Sequence, residues 1–226
     1  MSVPATDVEG PLARVTNAIY RHLALGLCLA VTCLPTVVVQ TLFRPDPTSV
    51  AVYVGALLPV APALSAGLSA VRGWRTTPDA GPFALFAAGY RRNIADVMKW
   101  WAPVVLLCVV LAVNIVFADA VAAGGAFRGV SIVVAAALVL WAGHALVISS
   151  FFSFRTRDVA RVAVVELFSR WRVTLGFVSL LIVAAAVVYI GTELALLLLA
   201  WAFVVMCERV ARPLVEDVTT RFTAEG

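Results

Sequence analysis

RWRVTLGFVSLLIVAAAVVYIGTELALLLLAWAFVVMCERVAR, residues 170–212, contains two apolar runs that meet at Gly191-Thr192-Glu193. Between Val173 and Cys207 the only charged residue is Glu193, while Arg170, Arg172, Arg209 and Arg212 stand at the two far ends. Runs of this composition joined by so short a turn form a tight antiparallel hairpin of membrane helices, spanning about Val173–Ile190 and Leu194–Cys207. Their arginine-bearing ends lie on one side.

Four more apolar runs lie upstream. The first covers about Leu23 to Phe43 and stops at Arg44-Pro45-Asp46-Pro47, where two prolines and a charge pair disfavour helix. The second, about Val50 to Val71, contains Pro59 and Pro62, each of which removes a backbone donor, so a kink or break is expected there. The third ends near Ala118 and the fourth covers about Val130 to Phe154. A chain of 226 residues that is 62% hydrophobic and 13% charged, with mean hydropathy +1.00, carries more apolar surface than one soluble core can hide. The expected fold class is therefore all-α: a polytopic helical membrane protein forming a single membrane domain over residues 1–226, with six transmembrane helices preferred. Five is the alternative, by merging the terminal hairpin or by making one span re-entrant, with the Pro59/Pro62 region the favoured place, but five would place one terminus and its arginines on the wrong side. Asp7 and Glu9 precede the first run, which is long for a signal sequence and is followed by further spans, so it is expected to stay in the mature chain.

The polar segments are as informative as the spans. Residues 1–22 read as an N-terminal interfacial segment, with Leu12, Val15, Ile19 and Tyr20 mixed with Arg14, Asn17 and Arg21. Ahead of the third span, Phe83, Phe86, Ala87, Tyr90, Ile94 and Val97 form an apolar stripe at helical spacing, with Arg91, Arg92, Asp96 and Lys99 around it. Trp100 and Trp101 follow, where paired indoles beside a lysine fit the headgroup level. Ahead of the fifth span, Ala160, Val164, Leu167, Phe168 and Trp171 form a second stripe among Arg161, Glu166, Arg170 and Arg172. These are the two inner amphipathic helices of the expected fold, and residues 216–226 form a polar C-terminal tail. Of 17 basic residues, only Arg44 and Arg128 fall in connections on the other side. The positive-inside rule then places both termini in the cytoplasm of a multi-pass bacterial inner-membrane protein. A single lysine and spans rich in Ala, Val and Leu suggest a GC-rich bacterial genome.

Several of these stretches resemble the YesL-like family of bacterial integral membrane proteins of unknown function. They are Gly10-Pro11-Leu12 with Arg14, Asn17 and Ile19; Leu34-Pro35; Leu57-Leu58-Pro59 to Pro62-Ala63-Leu64; and Phe86 with Gly89-Tyr90-Arg91-Arg92-Asn93 running to Trp100-Trp101. The likeness covers nearly the whole chain, but rests on packing and interface motifs. Ala61 stands where glycine is expected, and the interval from Pro35 to Pro62 is longer than the compact family pattern. The resemblance implies an accessory role in carbohydrate uptake, with sugar-importer membrane subunits as partners, and carries no catalytic or ligand residue onto this chain.

Chemistry-bearing residues are few. His144 is the only ionisable group well inside a span, with Asn114 as its main polar companion. His144 reads either as a titrating or solute-binding group or as a neutral histidine bonding a neighbouring helix carbonyl, the favoured reading. Pro59 and Pro62 mark either a substrate groove or ordinary packing, and the small-residue face Ala61, Ser65, Ser69, Gly73 favours packing. Ser149, Ser150 and Ser153 line a polar path or bond their own preceding turn. Glu208 and Arg209, adjacent on a helix, are each expected to find other partners. Cys28, Cys33, Cys108 and Cys207 read as small hydrophobes and suggest neither a metal site nor a disulfide framework. No nucleophile with its base, paired carboxylates or phosphate loop is evident, so no enzyme and no cofactor is expected. The net charge of +4 is spread over membrane edges and indicates lipid, not nucleic acid. The expected function is a non-enzymatic membrane accessory protein; the alternative is a small solute transporter or channel, acting alone or as an oligomer.

Overall fold

The computed structural model describes residues 10–43, 46–77, 80–120, 123–152, 155–191 and 193–223. These form α1 (Pro11–Leu42), α2 (Val50–Gly55), α3 (Val60–Thr76), α4 (Pro82–Val116), α5 (Gly124–Phe151), α6 (Thr156–Ser169), α7 (Trp171–Ile190) and α8 (Glu193–Thr223). A single 3₁₀ turn covers Ala118–Ala120, and no strand occurs among the described residues. Taking α2 and α3 as one broken span, six stretches are long and apolar enough to cross a bilayer. The chain is an all-α, multi-pass membrane protein.

Its surface has the same character as its composition. Leu23, Leu27 and Val31 on α1, Leu106 and Val110 on α4, Val130 and Val133 on α5, and Ile182 and Ile190 on α7 are all exposed, an apolar belt that only hydrocarbon can solvate. α3 lies at the centre and packs against α1, α4, α5 and α8. Ala61, Ala63, Ser65, Ala66, Leu68 and Ala70 are all buried, so α3 is enclosed on several faces and its small side chains let its neighbours approach closely. Proline stands in the first turn of both α1 and α4, where its missing N–H has no intrahelical acceptor to lose.

α1 takes in both the N-terminal segment from residue 11 and the first span as one helix. α4 likewise joins the first amphipathic segment to the third span, and its 35 residues extend about 52 Å, well beyond a hydrocarbon core of about 30 Å. Its first half runs antiparallel to α3. A side chain at Gly73 would meet Leu85, one at Gly89 would meet Ser69, and Trp101 reaches the carbonyls of Leu57 and Leu58. The buried face is therefore Phe86, Gly89, Asn93, Val97 and Trp100, of which only Phe86 and Val97 belong to the apolar stripe read from spacing. Close approach selects the residue without a side chain and the one that can hydrogen-bond to α3, and the helix turns accordingly.

The tryptophan pair also departs from expectation. Trp100 is buried edge-to-face against Trp141 of α5 at 6.0 Å, and Trp101 serves the break between α2 and α3. Neither stands free at an edge. At the end opposite the arginine-rich segments, Asp46 Oδ1 accepts the backbone amide and the hydroxyl of Thr48, both at 2.8 Å. These bonds, the amide first, hold its carboxyl below the usual carboxylate range. Arg128 pairs with Asp119 at 2.7 Å, and Arg44 lies outside the described residues. α7 and α8 form the expected hairpin, closed at Gly176, where a Cβ would meet Val210 at 2.5 Å. α8 continues as helix through the polar stretch to Thr223; residues 224–226 lie outside the described set.

A Cβ at Gly89 would lie 2.8 Å from the Ser69 Cβ, whereas one at Gly129 meets nothing within 4 Å. Gly89→Ala is expected to lower the melting temperature of the detergent-purified protein, at a cost of about 1–3 kcal/mol. Gly129→Ala, on the same assay, is expected to leave it unchanged or raise it.

Candidate functional site

Where α3, α4 and α5 converge, a seam of polar side chains crosses the apolar interior. α3 contributes Ser65 and Ser69, α4 contributes Asn93 and α5 contributes Ser150. The Asn93 amide donates to both serine hydroxyls of α3 at 3.0 Å. The Ser150 hydroxyl lies 2.9 Å from Ser65 Oγ and 2.5 Å from the carbonyl of Leu146, one turn back on its own helix. Arg92 completes the seam, donating from Nε to Asn93 Oδ1 at 3.2 Å and from Nη2 to Ser69 Oγ at 3.5 Å. A buried amide costs several kcal/mol if unpaired, so this mutual satisfaction makes the register of three helices specific. The seam joins the three helices through these bonds.

Spacing alone presented Ser65 and Ser69 as small residues, and Asn93 entered only as part of a family-like stretch. The available signal was a pair of serines one turn apart facing a single asparagine on an otherwise charged or apolar helix.

The structure places the other candidates apart from this seam and from one another. The chain breaks at Ala56–Pro59; Pro59 caps α3 and Pro62 falls in its first turn, where a missing N–H costs nothing. The break therefore comes before the first proline, and Pro62 adds no second one. Carbonyls at the break find side-chain donors: Thr36 Oγ1 donates to Ala56 O at 2.7 Å, and Trp101 Nε1 lies 3.0 Å from Leu58 O and 3.3 Å from Leu57 O, which also accepts the Val60 amide at 3.0 Å. A broken helix in hydrocarbon needs such partners, and here side chains of α1 and α4 supply them.

His144 is fully buried. Its Nδ1 lies 3.1 Å from Leu140 O, its Nε2 lies 3.4 Å from the Thr174 hydroxyl, and its ring meets Phe177 edge-on at 4.9 Å. The carbonyl it bonds belongs to its own preceding turn; the neighbouring helix offers a hydroxyl instead. Asn114 is half-buried at the far end of α4, beside Ile115, whose carbonyl accepts from Arg128 Nε at 3.2 Å. It is not brought near His144, which sits level with the Trp100–Trp141 contact. Ser149 and Ser150 both bond the Leu146 carbonyl; Ser153 lies outside the described residues.

Two buried carboxylates near the arginine-rich end are ion-paired. Buried Glu208 takes Arg212 at 3.0 Å and Arg75 at 3.8 Å, so its partner is not the adjacent Arg209. Glu166 faces Arg170 at 3.4 Å. The four cysteines are free, and no three metal-ligating side chains come together among the described residues.

Replacing Asn93 with leucine removes the donor that the two α3 serines share and is expected to lower stability by about 1–2 kcal/mol, read as melting temperature in detergent. Trp101→Phe, which deprives the Leu57 and Leu58 carbonyls of the indole, is expected to act in the same direction. Trp171→Phe, at an exposed site, should do neither, and equal losses for the two tryptophans would contradict the role given to Trp101.

No protein-family model, curated protein or solved structure matches the chain, so its functional reading stands on its own residues.

Proposed function

We propose that the chain is a non-enzymatic accessory protein of the bacterial inner membrane, with both termini in the cytoplasm, that binds other membrane proteins. The observation that carries this reading is the orientation of α6. The larger part of its apolar stripe is turned away from its own fold: Val164, Phe168 and, at the start of α7, Trp171 are 48%, 78% and 61% exposed, Ala160 and Leu167 are half-buried, and the face packed inward is Val159, Ala163 and Glu166 at 3% or less. Arg157 and Arg161 are exposed on the same helix. An apolar strip with cationic neighbours at the arginine-rich end suits the surface of a membrane partner, and meets lipid when no partner is bound.

The seam, the break and His144 support the same reading, because their polar groups are engaged in holding helices together. Two further expectations rest on the sequence. Fifteen of 17 basic residues on one side of the spans support the orientation. The YesL-like resemblance points to sugar-importer subunits as the partners.

A second reading, a small transporter or channel acting alone or as an oligomer, is favoured by one feature. A cavity of about 400 Å³ lies between α1, the α2–α3 break, α7 and α8, lined by Leu29, Cys33, Tyr53, Leu57, Ala200 and Phe203 among others. Thr36 and Gln40 are its few polar contributors. Such a lining suits an apolar or lipid-like solute and not a sugar.

Crosslinking followed by purification from native membranes in mild detergent separates the two readings. Importer permease subunits are expected to co-purify with the wild type and to be lost with Phe168→Glu, whose exposed position should leave the melting temperature unchanged. No enrichment of importer subunits over an unrelated six-span protein, together with solute flux in vesicles containing this chain alone, would replace the first reading by the second.

A further inference from the structure

At the arginine-rich end of the α3–α4–α5 junction, just beyond the polar seam, lies a cleft of about 270 Å³ with mainly polar walls. Arg72, Thr76 and Thr77 line it from α3 and its C-terminal cap, Arg92 from α4, and Ser69 and Ser150 from the seam. No carboxylate lines it among the described residues. Several basic groups elsewhere are ion-paired: Lys99 with Asp96, Arg128 with Asp119, Arg170 with Glu166, and Arg75 and Arg212 with Glu208. Arg72 and Arg92 make no such pair among the described residues, yet both face one cleft.

Both guanidiniums are also held in place by neutral contacts. Arg72 lies over the ring of Phe151, 5.0 Å from its centroid, which occupies its face and leaves its in-plane N–H donors available. Arg92 is anchored through Asn93 and Ser69, which leaves further donors on its fork. Two positioned cations and several hydroxyls around a space larger than a carboxylate match the several oxygens of a phosphate group.

We propose that this cleft binds a phosphate group, and that Arg72 and Arg92 are its ligands. The phosphate belongs either to an anionic phospholipid headgroup at the membrane edge or to a soluble phosphate; the chemistry of recognition is the same. The site is independent of partner binding through α6.

The test is a melting-temperature titration of the full-length protein in a neutral detergent, at constant ionic strength, with two probes: inorganic phosphate, and phosphatidylglycerol compared with phosphatidylcholine. A saturable rise with at least one anionic probe is expected. In Arg72→Gln/Arg92→Gln the apparent affinity should fall about tenfold or more, as expected when charge-assisted hydrogen bonds are lost. A rise with inorganic phosphate assigns the site to soluble phosphate, and a rise with phosphatidylglycerol alone assigns it to the headgroup. Thr76→Val/Thr77→Val, at two exposed positions, provides a second variant and should weaken binding by a smaller factor. Arg155→Gln/Arg157→Gln, at two arginines that do not line the cleft, should have no effect. The proposal is overturned if neither probe raises the melting temperature of the wild type, or if the Arg155/Arg157 variant loses as much affinity as the Arg72/Arg92 variant.

Discussion

Hydrocarbon supplies no hydrogen bonds, and the contact between α3 and α4 shows how this chain meets that constraint. α3 is enclosed by four other helices, so its hydroxyls and the carbonyls released at its start must find partners within the protein. Asn93 and Trp101, two turns apart on α4, serve the two ends of this requirement: the serines of α3 at one end and the Leu57–Leu58 carbonyls at the other. Gly89 permits the distance at which those bonds form. α5 then joins through Ser150, and with its lower half in place Arg72 comes to rest over Phe151.

This arrangement gives different tasks to the two arginine-bearing helical segments. The first is drawn into the fold, because its glycine and asparagine complement α3. The second, α6, packs through a small residue and an ion-paired glutamate and leaves its larger apolar side chains outside. A segment whose apolar residues face outward contributes little to its own core, so its composition makes sense as a surface for lipid or a partner. The interior polar groups serve helix association, and Arg72 and Arg92, which line the cleft at the arginine-rich end, make no ion pair among the described residues.

Much of the architecture was legible in the chain. Six apolar runs, the break near Pro59 and the short turn at Gly191 follow from length, hydropathy and proline chemistry, each a local property. The faces were not. Spacing marked Phe83, Phe86, Ala87, Tyr90, Ile94 and Val97 as one apolar stripe, yet of these only Phe86 and Val97 are buried on α4. In membrane helices an apolar residue gains little by facing protein instead of lipid, so apolar periodicity loses the meaning it has in water. Small size and hydrogen-bonding capacity decide the buried face, and both depend on what lies opposite.

The sequence by itself determined the solvent of this protein, the number of its spans and the grouping of its charges, because transfer into a bilayer depends on each segment's own composition. Only the tertiary structure decided that Asn93 joins three helices, that His144 bonds its own turn and Thr174, that the α6 stripe faces out, and that Arg72 and Arg92 share a cleft without a carboxylate among the described residues. Those are relations between residues up to 85 positions apart, as for Ser65 and Ser150, and helix register is what brings them together.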